Sequence, residues 1–169
     1  MIFTKRSDYG LRAAMELAAG YGQGPLSARE IARSGNLPEP FVRKLLQELA
    51  QAGLATSSRG RHGGYALARP PAAVSVRETL EAFETLAPVP CLDYTDSALP
   101  PTESPGAMDA ANQDDEPCTL DIAEFSCPTR AAWRLVDQRV RATLETLTLD
   151  DLLGEVRHLG LTTEMIHAS

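Results

Sequence analysis

At 169 residues the chain can build one full core, or a small domain with an appended helix and loop, and 43% apolar with 23% charged residues is ordinary for a soluble globular protein. The segment from Met1 to Gly10 has no apolar signal-peptide core, and no stretch approaches the ~20 apolar residues of a membrane helix, which points to the cytoplasm and away from a membrane. The net charge of −7 hides a split: residues 1–77 carry eleven Lys/Arg and five Asp/Glu, net +6, while residues 78–169 carry five and eighteen, net −13, so a basic N-terminal module can hold a polyanion.

The first helix is expected from about Ser7 to Ala19, with Leu11, Met15 and Ala18 at helical spacing, ending in the glycine-rich run from Gly20 to Gly24. Ser27 and Glu30 then form a capping box, in which side chains satisfy the backbone donors that a helix start leaves unpaired. The short helix that it opens should stop near Gly35. After the turn Gly35-Asn36-Leu37, Pro38 and Pro40 enter a third helix, where first-turn N–H groups have no intrahelical partner and proline is tolerated. Phe41, Leu45, Leu49 and Ala52 make its apolar stripe, and Gly53 ends it.

Beyond Gly53 the period changes. Leu54–Ser57 and Tyr65–Leu67 read as two short strands around a tip of glycine and positive charge, Ser58 to Gly64. Ser75 and Glu78 form a second capping box, opening a helix through Leu80 and Phe83. Three helices followed by a basic hairpin is the order of a winged helix-turn-helix, so the fold class is mainly α with a small β wing.

Between Pro88 and Pro128 lie seven of the twelve prolines and little periodic apolarity, which reads as a long functional loop. Trp133, Val136, Val140, Leu144 and Leu147 then mark a helix of about five turns. Thr148 to Asp151 caps a shorter last helix. Three parts follow: a DNA-binding domain over 1–84, a cysteine-bearing sensor loop over 85–127, and a dimerisation helix with the C-terminal helix over 128–169. The apolar face of the long helix has no large later element to cover it, and a second copy is its simplest cover.

A helix fits the major groove and meets base edges with its first turns while basic neighbours neutralise phosphates. Arg43, Lys44 and Gln47 lie off the apolar stripe of the third helix, with Pro40 at its head. Ser27 and Arg29 stand at a helix N-terminus that suits a phosphate oxygen. Arg59, Gly60, Arg61 and His62 form a flexible basic wing tip able to approach a backbone or enter a minor groove. Taken singly, each arginine is as well explained as a solvated surface charge; the joint arrangement points to double-stranded DNA. There is no phosphate loop, nucleotide fingerprint or Ser/His/Asp set in workable order, which argues against an enzyme.

Three cysteines, an odd number, argue against a disulfide framework and for metal or redox chemistry. Cys91 and Cys118 have 26 residues between them and Cys118 and Cys127 eight, which is no zinc-ribbon spacing, and no histidine is near. Cys127 precedes Pro128 as an expected helix N-cap, where the helix dipole favours a thiolate. A buried structural role fits a polar, proline-rich loop poorly.

The stretch Phe41-Val-Arg-Lys-Leu-Leu-Gln-Glu-Leu49, then Ala52-Gly53-Leu54, Ser58-Arg59-Gly60, Gly63-Gly64-Tyr65 and Leu67-Ala68-Arg69-Pro70, resembles the IscR/NsrR (Rrf-type) family of winged-helix regulators. The opening from Ser7 to Ala13 matches that family's first helix. The resemblance implies a transcription regulator, a repressor by preference, acting as a homodimer on a pseudo-palindromic operator, with the long helix crossing its mate and Arg59 and Gly60 at minor-groove positions. It also implies an iron–sulfur cluster on Cys91, Cys118 and Cys127, with [2Fe–2S] preferred to [4Fe–4S]. The cysteine spacing departs from the short, equal spacing common among cluster-binding relatives. In some relatives a carboxylate in the partner's first helix is the fourth ligand, and Asp8 stands at the matching place; a first-turn aspartate favoured by the helix dipole explains it equally well, and Asp121, Glu124 and solvent are the other candidates for that position. The alternative within this fold is a cluster-free repressor switched by a reversible Cys118–Cys127 disulfide.

Overall fold

In the computed structural model the described residues are 4–60, 63–86 and 128–160. Helix α1 (Lys5–Ala19) starts ahead of the expected Ser7, because Thr4 is its cap and accepts a hydrogen bond from the Ser7 N–H. It buries Ala13, Ala14, Leu17 and Ala18, while Leu11 and Met15 lie half-buried at the edge of that face. Helix α2 (Ala28–Ser34) opens on the Ser27–Glu30 capping box and stops at Gly35. The turn into α3 (Glu39–Gln51) places Asn36 at φ 48°, a left-handed conformation that Asn tolerates better than most residues. The buried face of α3 is Val42, Leu45, Leu46 and Leu49; Phe41 is half-buried and Ala52 exposed, so the face is turned by one residue from the expected stripe.

Strands β1 (Ala55–Ser58) and β2 (Gly64–Leu67) pair antiparallel, with Ala55 opposite Leu67 and Ser58 opposite Gly64. Leu26 adds a bridge to β2: its N–H donates to the Tyr65 carbonyl, and its carbonyl accepts from the Tyr65 N–H, each at 2.8 Å. A 3-10 turn over Pro71–Ala73 leads to α4 (Val76–Glu81), which ends before Phe83 rather than running through it. Helices α5 (Pro128–Thr146) and α6 (Leu149–His158) follow, α6 opening on the capping box of Thr148 and Asp151. Among the described residues no helix is long and apolar enough to cross a membrane.

Two units divide the chain, one of residues 1–86 with 140–169 and one of residues 87–139. In the first, the core joins α1, α2 and α3 to Leu54, Leu67, Val74 and Phe83, and also takes Leu149 and Leu153 from α6. The winged-helix body therefore reaches beyond residues 1–84. A smaller cluster of Val76, Leu80 and Leu86 is covered by Leu11, Leu144 and Leu152. Leu144 is thus packed within its own body instead of forming part of a free helix face. The Val76 N–H donates to the Leu147 carbonyl and the Leu149 N–H to the Val74 carbonyl, pinning the start of α6 to the start of α4. Around them, Arg77 pairs with Glu81 at 3.1 Å and Glu145 at 3.3 Å, and Arg141 with Glu81 at 2.7 Å. Of the second unit, the described part is residues 128–139 of α5, where Trp133, Leu135 and Val136 are exposed.

The capping carboxylates make stability acid-sensitive. Hydrogen bonds from the Ser27 side chain and backbone hold Glu30 below the ordinary glutamate value, and Thr148 does the same for Asp151. Burial pushes Glu78 up, but hydrogen bonds from Arg69 and Ser75 and the charge of Arg69 outweigh it and leave the group lowered. A depressed folded-state pKa contributes stability in full above the unfolded value, lost as pH falls through the folded value. The melting temperature is therefore expected to fall as pH drops below the ordinary carboxylate range, and more shallowly in Glu78→Gln than in the parent. Parallel melting-versus-pH curves would remove Glu78 from that account.

Candidate nucleic-acid interface

The apolar side of α3 is held inside the body, so its polar residues are left outside. Pro40, Arg43, Lys44 and Gln47 are all exposed. Arg43 is not solitary: its guanidinium donates to the Glu39 carboxylate at 2.5 Å, one turn back on the same face. At the other edge of α3, Glu48 accepts from Arg6 at 2.7 Å and ties the helix to α1. Tyr9 of α1 meets Phe41 edge-on, with centroids 5.7 Å apart.

Arg29 is exposed on α2. Ser27 is less open to an anion than the sequence implies. Its N–H is taken by the Glu30 carboxylate at 2.7 Å, and its Oγ accepts from the Glu30 N–H at 3.2 Å. The carboxylate also puts negative charge where a phosphate would sit, and it takes a hydrogen bond from the Ser27 side chain as well.

The wing is anchored as well as exposed. A Cβ at Gly64 would lie 2.4 Å from the Leu26 carbonyl oxygen, so only glycine lets β2 pair so closely with the segment entering α2. Arg59 is exposed at the tip, Gly60 has φ 117°, and the Gly63 N–H donates to the Gly60 carbonyl at 3.0 Å. Arg61 and His62 lie outside the described residues, as do Cys91, Cys118 and Cys127. Asp8 is half-exposed on the first turn of α1 and paired with Arg12 at 3.1 Å, and that guanidinium also lies 5.9 Å from the centre of the Tyr9 ring.

Two features escaped the sequence reading. The Leu26–Tyr65 bridge has no local signature, because it is a backbone pairing between segments that α2, α3 and β1 separate in sequence. The Glu39–Arg43 pair was legible from its spacing of four.

An exposed cationic helix face and a basic wing, joined in one body, agree with what the chain resembles. The model of the Rrf2 family, described as an iron-dependent transcriptional regulator, matches residues 3–155. The chain belongs to the Rrf2 family. Its members here are transcription regulators, not enzymes, and the winged helix-turn-helix is their DNA-binding fold. The chain is 30% identical to protein rrf2 of Nitratidesulfovibrio vulgaris, over 92% of this chain and 89% of that protein. It is 29% identical to the HTH-type transcriptional regulator CymR of Bacillus subtilis, over 90% and 89%. The solved structure of that CymR, described as the global cysteine regulator, aligns with a TM-score of 0.63 at 28% identity over 92% and 98%. The structure of IscR from T. potens aligns with a TM-score of 0.65 at 25% identity over 96% and 93%.

Proposed function

We propose that this Rrf2-family regulator is a homodimeric repressor whose hold on a pseudo-palindromic operator is set by an iron–sulfur cluster on Cys91, Cys118 and Cys127. The observation that supports it most is the convergence, on one body, of the exposed Arg43–Lys44–Gln47 face of α3 with the Arg59 wing, tied to α2 by the Leu26–Tyr65 bridge. To these we add Pro40 in the first turn of α3, Ser27 and Arg29 at the start of α2, and Gly60, Arg61 and His62, which follow Arg59 in the sequence. Arg43→Ala and Arg59→Ala are each expected to weaken operator binding and to flatten its log–log salt dependence by about one unit, with the circular dichroism unchanged. Unchanged affinity and salt slope in both variants would remove the DNA interface from these residues.

The donor set suits the cluster. Three thiolates favour iron–sulfur over harder ions, and a fourth ligand is still required. Asp8 fits as a carboxylate from the partner subunit: it is half-exposed and pairs with the surface cation of Arg12. When bound, the cluster supplies an iron centre sensitive to redox state and to small ligands; [2Fe–2S] is our preferred form. The chain's own residues would carry its state to DNA. Cys127 immediately precedes α5, and the far end of α5 is fastened to α4 by Leu144, Arg141 and Glu145.

A second reading, a cluster-free switch through a Cys118–Cys127 disulfide, draws on the likeness to CymR. The Staphylococcus aureus CymR, 25% identical, has been solved in an oxidized form. Anaerobic purification with a visible spectrum and iron and sulfide counts separates the two. A brown or red protein that loses its absorption on Cys→Ala at any of the three positions supports the cluster. Asp8→Ala is expected to keep a cluster with shifted absorption and faster loss in air. A colourless, iron-free protein that still binds DNA in a thiol-dependent way would overturn the cluster and leave the disulfide switch.

A further inference from the structure

The outward face of α3 carries one anion among its cations. Glu39 is the first residue of the helix, and Arg43 and Gln47 follow at steps of four, so the three share one face. Its carboxylate engages Arg43 at 2.5 Å, although the Arg43 side chain is 63% exposed and its own is 36% exposed. The first turn of such a helix is the part that meets base edges. A negative charge there is unfavourable against a polyanion, and it also neutralises the arginine best placed to offset a phosphate.

We propose that Glu39 is a specificity-determining residue of the recognition helix, acting against DNA that lacks its target base; the inference rests on the DNA-binding function proposed above. On unselected DNA the Glu39 carboxylate holds Arg43 in the intrahelical pair and repels nearby phosphates. On the right sequence an exocyclic amine in the major groove, the N4 group of cytosine, donates to that carboxylate and relieves the repulsion. Arg43 is then released toward phosphate or a guanine edge. One residue thus lowers affinity for most sequences while reading one base pair in each half-site. Its location at the positive end of the helix dipole, beside Arg43, favours the carboxylate staying in place without DNA.

The test uses the full-length protein and a pool of random-sequence duplex DNA. Parent, Glu39→Gln, Arg43→Ala and the double variant are titrated with the pool over a range of salt, and the bound fractions are sequenced. Glu39→Gln is expected to bind the unselected pool about tenfold more tightly, with a log–log salt slope steeper by about one, and to lose the preference for cytosine at one position per half-site. In the Arg43→Ala background the same change should gain less, because there is no arginine to release. Parent-like affinity for the pool with parent-like base preferences would overturn the proposal, as would a change in melting temperature alone, which is what a merely helix-stabilising carboxylate gives. Equal gains in both backgrounds would overturn the ion-pair part. A parent protein with no salt-dependent affinity for the pool would instead overturn DNA binding itself.

Discussion

Val136→Glu is expected to turn the proposed dimer into a monomer at micromolar concentration and to weaken operator binding by about 10²–10⁴-fold, leaving the winged-helix body folded. Trp133, Leu135 and Val136 on α5 are 40%, 57% and 44% exposed, an unusual run of large apolar groups for one surface helix. An isologous contact would bury the same residues of both subunits against each other, so the substitution sets two like charges face to face in a surface that had been apolar. The expected loss comes from linkage: with one subunit bound, its tethered mate sees the second half-site at high effective concentration, and a monomer forfeits that gain. Leu144→Glu is the contrasting control. That side chain covers Val76, Leu80 and Leu86 within its own body, so its replacement should lower the melting temperature rather than split a folded dimer. Sedimentation velocity and thermal melting read the two effects apart. A Val136→Glu protein that still sediments as a dimer and still binds its operator would remove α5 from the interface.

What could be read in advance depended on the range of each interaction. The capping boxes at Ser27, Ser75 and Thr148 are made by side chains three residues from the backbone they satisfy, and all three are present. The exposed cations of α3 were legible because they fall outside any apolar stripe. The stripe itself was turned by one residue, since Phe41 and Val42 are both apolar and helical period does not choose between them; contact does. Val42 goes to the core and Phe41 to the rim, edge-on to Tyr9. The same limit explains Leu144, which the heptad-like pattern placed on a dimer face and α4 covers instead. Cysteine count and thiolate chemistry speak for a sensor, but no local rule converts intervals of 26 and eight intervening residues into a ligand geometry.

Gly10→Ala is the second large expected effect, and here two forces of opposite sign can be weighed. Gly10 lies inside α1, where alanine is favoured over glycine by about 1 kcal/mol, so helix propensity alone predicts stabilisation. Packing predicts the reverse. A Cβ at Gly10 would sit 2.2 Å from Phe83 Cε2 and 2.5 Å from two further ring atoms, well inside van der Waals contact. The ring is 4% exposed and belongs to the main core, so it has no solvent to swing into. Forcing an extra carbon into a close-packed site costs about 1–3 kcal/mol and sometimes more, which exceeds the propensity gain, so the net effect is destabilising. The discriminating background is Phe83→Ala. That change alone should cost about 3–5 kcal/mol by leaving a cavity, but within it Gly10→Ala meets no ring and should stabilise. Urea titrations of the four proteins give the sign directly. A stabilising Gly10→Ala in the parent would show that α1 and the segment after α4 can separate without penalty.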